Sequence, residues 1–94
     1  MDEALTTLVA TLLQWVLGQP QFAASAAPAR LEIAPPAVRF APQQEVARVA
    51  CGQPCFARAY YEPGKGVVLD EALRPHDDLV ARSILLHEIV HHVQ

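Results

Sequence analysis

The stretch Leu85-Leu86-His87-Glu88-Ile89-Val90-His91-His92-Val93-Gln94 decides how the rest of the chain is read. It holds the pattern His-Glu-x-x-His within a segment free of Pro and Gly from Asp77 onward. On an α-helix, residues four apart stand one above the other on the same face. His87 and His91 can therefore aim two imidazoles at one point, which is what a zinc ion requires of its protein ligands. Glu88 follows the first histidine and is rotated about 100° around the axis. From that position its carboxylate can reach a metal-activated water without ligating the metal, which is the general-base position of a zinc hydrolase.

The setting bears on how far this pattern can be trusted. With His87 at the origin of a helical wheel, Val80, Ile84 and His91 share the metal side. Leu79, Leu85, Leu86, Ile89, Val90 and Val93 cover most of the remainder. A helix apolar nearly all round is expected to be buried, and the histidine pair with it. The competing reading is a core helix whose histidines hydrogen-bond to their neighbours. Residue type, spacing and helical setting together favour the metal site, with Zn2+ as cofactor, His87 and His91 as ligands and Glu88 as base.

These residues resemble those of the zincins, the superfamily of His-Glu-x-x-His metallopeptidases. More narrowly, the chain is similar to short bacterial zincin-like domains. In those domains a Cys-Gly-x-x-Cys stretch, a strand pair and a run like Val80-Ala81-Arg82-Ser83-Ile84-Leu85-Leu86-His87-Glu88 follow one another. A weaker likeness is to bacterial regulatory peptidases that cleave repressors, which place a similar helix after a similar hairpin. The resemblance spans about residues 30 to 94, and the motif helix is its one highly specific part. It implies a zinc peptidase in which an edge strand beside the cleft binds an extended peptide or protein substrate. Val67-Val68-Leu69 or Phe56 to Tyr61 would supply that edge, pairing by β-augmentation.

Zincins take a third ligand from a position downstream of the motif helix, whereas the sequence ends at Gln94, three residues past His91. His92 points about 100° away from His91 and cannot substitute. The third ligand is expected from upstream, from another chain, or from a C-terminal segment beyond this sequence, the last being favoured. Asp70, Glu71, Asp77 and Asp78 are the upstream acidic candidates, for ligation or for orienting the histidines. Apolar surface at the end of the helix favours a homo-oligomer in which a neighbouring chain covers the cleft. A catalytically incomplete scaffold serving as a binding module is the alternative function.

Length and composition describe one small domain: 94 residues, 52% hydrophobic, with a net charge of −3. Seven scattered basic residues make no nucleic-acid footprint, and no basic amphipathic stretch suits a membrane surface. Residues 2 to 17 read as an amphipathic helix with Asp2 as cap, Leu5, Leu8, Val9, Leu12 and Val16 on its apolar face, and Gly18 and Pro20 as the stop. Trp15 is expected against the core. The acidic opening, Asp2 and Glu3, differs from the basic start of a signal peptide. Cytoplasmic placement is slightly favoured on that ground, although the cysteine pair leaves export open.

The domain divides into an N-terminal helix and loop (1–29), strands and a short helix (30–76), and the motif helix (77–94). A short strand is expected around Leu31 and Ile33 before Pro35-Pro36, with Val38 and Phe40 continuing the extended chain. A helix is expected from Pro42 through Val46, Val49 and Ala50 to Gly52. Phe56 to Tyr61 and Gly66 to Asp70 form strands around the turn Glu62-Pro63-Gly64-Lys65. Asp77 or Asp78 caps the motif helix, and His76 lies in an exposed loop. Cys51-Gly-Gln-Pro-Cys55 reads as a disulfide across a tight turn, with free thiols the alternative. His92 is assigned a structural role in preference to lining the cleft. The fold class is α+β: an N-terminal helix, a small, mainly antiparallel sheet of about three strands, and the motif helix packed across it.

Overall fold

The computed structural model describes residues 3–23, 33–53 and 55–94. The expected cap at Asp2 and the expected strand residue Leu31 lie outside them. The described residues form an α+β fold of four helices and a three-stranded sheet: α1 (Glu3–Leu17), α2 (Pro20–Ala23), β1 (Val38–Ala41), α3 (Gln43–Cys51), β2 (Ala59–Glu62), β3 (Gly66–Asp70) and α4 (Leu79–Val93). None of these helices is long and apolar enough to cross a membrane.

The sheet corrects the sequence reading in its topology. Its order is β1-β3-β2, with β1 parallel to β3 and β2 antiparallel to β3. It is mixed, not mainly antiparallel. The reason is the helix between the first two strands: α3 carries the chain over one face, so the β2–β3 hairpin brings β3 back alongside β1 in the same direction. The first strand also starts later than expected. Ile33 lies outside any strand, and pairing begins at Val38, opposite Val67.

Helices cover both faces of the sheet, so all five residues of β3 are buried. Val67 and Leu69 point into the main core with Leu5, Val9 and Leu13 of α1 and Ala81, Leu85 and Ile89 of α4. Val68 points the other way, into a smaller cluster with Ala41 and Val46 that Tyr60 flanks. The alternation follows from the period-two geometry of a strand. Gly66, at φ 110°, opens β3 where a Cβ would strike the carbonyl of Ala37. That closeness lets Val67 N–H donate to the Ala37 oxygen at 2.8 Å.

The N-terminal helix buries Leu5, Val9, Leu13, Val16 and Leu17, a stripe at spacings of three and four. Trp15 is off that stripe and 57% exposed, so it does not pack on the core as expected. Within the expected loop 19–29, Pro20–Ala23 forms a short helix instead. Gly52 ends α3 in the left-handed conformation, its N–H bonded to Arg48 O at 2.8 Å. Cys51 and Cys55 are joined as a disulfide, tying the end of α3 to the segment that enters β2.

Candidate metal centre

Asp78 caps α4, accepting the Val80 N–H at 2.8 Å. The loop before it is strapped to the first turn of the helix, since Arg82 donates to the carbonyls of Pro75 and His76 at 3.0 and 2.8 Å. His76 is exposed, as expected. At the far end, His92 fastens the helix to the sheet. Its Nε2 stands 2.7 Å from the carbonyl oxygen of Ala34, and its Nδ1 lies 2.9 Å from the Tyr61 hydroxyl. A carbonyl can only accept, so Nε2 carries a proton, and in the neutral ring Nδ1 then accepts the tyrosine O–H. His92 is therefore structural, and both ends of α4 are pinned.

The buried residues of α4 are Ala81, Leu85, Glu88 and Ile89. The histidine pair lies to one side of that stripe, on the flank left open by α1 and the sheet. His87 and His91 are exposed, which corrects the expectation of a buried pair; Leu79 and Val80, at 77% and 66% exposure, are solvent-facing too. Glu88, in contrast, is only 6% exposed.

His87 Nε2 and His91 Nε2 are 3.2 Å apart, with the rings edge to face. Two nitrogens bound to one tetrahedral zinc at about 2.0–2.1 Å stand about 3.3 Å from each other. The pair already has the separation a shared metal would impose. Potential ligand atoms of His87, Glu88 and His91 all lie within 4.8 Å of one another. Among the described residues this is the one such cluster. Asp70, Glu71, Asp77 and Asp78 do not join it. Asp70 binds Arg58 and the Ala72 N–H, and Asp78 serves as the helix cap.

Burial pushes the Glu88 carboxyl above its ordinary range, and the neighbouring His87 and His91 offset part of that rise. A carboxyl whose pKa is raised and that still opens onto a cleft is a candidate for accepting and returning a proton.

A cleft opens on each side of Glu88. One, of about 470 Å³, is lined by Arg58, Ala59, Ser83, Ile84, His87 and Glu88. The other, of about 530 Å³, includes Tyr60, Tyr61, Pro63, His87, Glu88 and His91. Strand β2 borders both. Among the described residues it is an edge strand, paired with β3 alone. Of the two expected edges, Val67-Val68-Leu69 is excluded because β3 is central and its backbone is engaged on both sides. The second edge survives in shorter form, Ala59–Glu62, since Phe56 lies outside the strand and is 97% exposed. The expected edge Phe56 to Tyr61 contained Arg58 and Tyr61, but the sequence singled out neither side chain as a neighbour of the site. Neither carries a motif, and only the position of β2 beside α4 brings them there.

No protein-family model, no curated protein and no solved structure matches the chain.

Proposed function

We propose that the protein is a zinc-dependent peptidase of zincin type. The observation that carries this reading is the convergence of His87 Nε2 and His91 Nε2 at 3.2 Å beside the buried carboxyl of Glu88. The donor set suits zinc, because imidazole nitrogen is among its preferred ligands. His87 and His91 would hold the metal, and their exposure leaves room for substrate. When bound, the metal supplies Lewis acidity, polarising a carbonyl and easing the ionisation of water. Glu88 takes the proton from the attacking water and delivers it to the departing amine nitrogen. Its raised pKa favours the return of that proton. The free edge of β2 receives the substrate backbone, a mode that reads main chain more than side chains.

Incubating the zinc-supplemented protein with a random peptide pool and sequencing the products by mass spectrometry tests this function. Chelator-sensitive cleavage is expected. Glu88→Gln should retain zinc while cutting the rate by about 10²–10⁴-fold, the usual contribution of a general acid–base group. Full activity in that variant would refute the role of Glu88. The binding-module reading draws on the small number of converging ligands; zinc uptake without cleavage of any peptide would favour it.

A further inference from the structure

Among the described residues, Arg58 is the one lysine or arginine lining the cleft that also holds His87 and Glu88. Two contacts fix it. Its carbonyl accepts the Asp70 N–H at 2.8 Å, and its Nε donates to Asp70 Oδ2 at 3.2 Å. The Asp70 side chain is 5% exposed and that of Arg58 is 45% exposed, so a buried anion tethers a half-exposed guanidinium. Asp70 is anchored in turn, because its Oδ1 accepts the Ala72 N–H at 2.9 Å. No hydrogen bond to a described residue engages the two Nη nitrogens of Arg58. They form the half of the fork that binds carboxylates in bidentate fashion. A guanidinium held in advance loses little freedom when it binds.

The two clefts also give the site a direction. Arg58 borders the cleft beside Ser83 and Ile84, Ala59 borders both clefts, and Tyr60, Tyr61 and Pro63 border the one beside His91, where Tyr61 is hydrogen-bonded to His92. Strand β2 and helix α4 therefore advance in the same sense. An extended peptide pairing antiparallel with β2, the more stable arrangement, runs the opposite way and sets its C-terminal half beside Arg58. The geometry points to Arg58 as a specificity-determining residue that binds a substrate carboxylate on the C-terminal side of the scissile bond. This inference rests on the peptidase reading for the position of that bond. The carboxylate is that of an acidic side chain or of the peptide's own C-terminus.

The test reads binding, so that it does not depend on turnover. Three fluorescein-labelled random decapeptide pools are titrated into the metal-free protein by polarisation. The first is C-terminally amidated with Glu fixed near its C-terminal end, the second carries Gln in its place, and the third combines that Gln with a free terminal carboxylate. At least one carboxylate pool is expected to bind about 10-fold or more tightly than the neutral pool, and which one identifies the source. Arg58→Gln should erase the preference, and Arg58→Lys should reduce it while keeping a charge beside Asp70. Thermal unfolding and zinc uptake, measured in parallel, report whether each variant is folded and its histidine pair intact. Equal binding of all three pools, or a preference that survives Arg58→Gln, overturns the inference. A carboxylate preference that depends on Arg58 without zinc-dependent cleavage sustains the binding site and refutes the peptidase reading instead.

Discussion

Glu88 joins two requirements that conflict. Its position in the buried stripe of α4 costs stability whenever the carboxyl is charged, yet the proposed role requires a proton acceptor beside a metal. Burial raises its folded-state pKa above the ordinary 4.5. Below that value the folded and unfolded chains both hold the proton, and the residue carries no penalty. As pH rises, the unfolded chain releases its proton first, so stability falls until the folded pKa is passed. Glu88→Gln removes this loss. In chelator-treated protein, the variant should have a higher urea midpoint than the parent at pH 7, with the difference shrinking towards pH 4. A difference independent of pH would show that burial of the charge is not the cause. The spacing of His87, Glu88 and His91 was legible in the sequence because helical geometry alone fixes it. The exposure of the two histidines was not, because it depends on which flank of α4 the sheet and α1 leave open. Arg58 was illegible for a related reason: a lone arginine before a strand has no signature until its aspartate partner is found twelve residues on.

At the scale of elements, α4 is the member on which the core depends. Leu85 and Ile89 are fully buried, and each contacts the cluster shared by α1 and β3. Leu85→Ala or Ile89→Ala should cost about 2–5 kcal/mol through the cavity left behind. Leu86, only half-buried on the periphery of that cluster, should cost less. Denaturant midpoints for the three variants check this order, and equal losses would contradict the assigned burial. The hairpin and motif helix could be read from their sequences because turn residues and apolar periodicity are local. Strand order could not be read, because β1 reaches β3 only through the crossing of α3. Trp15 was placed wrongly for the same kind of reason. The face that α1 turns to the core carries Leu5, Val9 and Leu13, and Trp15 lies off it.

For the molecule as a whole, a chain of 94 residues supports a modest core, and a ligand that binds only the folded state adds to its stability in proportion to the logarithm of ligand concentration. The disulfide ties the end of α3 to the segment that enters β2, and the His92 contacts tie α4 to Tyr61 of β2 and to Ala34. Among the described residues, two imidazoles and one carboxyl converge on α4; with Glu88 kept as the proposed base, the two histidines fall one short of the three protein ligands of a full catalytic site. Zinc should therefore be held, but more weakly than in a three-ligand site, and dialysis should leave less than one equivalent. The central claim, that His87 and His91 share a metal, is tested most directly by calorimetric titration of zinc into the parent, His87→Ala and His91→Ala proteins. The account predicts one zinc per chain for the parent, with affinity reduced about 10-fold or more in each variant, since each loses one of two imidazoles. No uptake by the parent, or uptake unchanged in both variants, would contradict it.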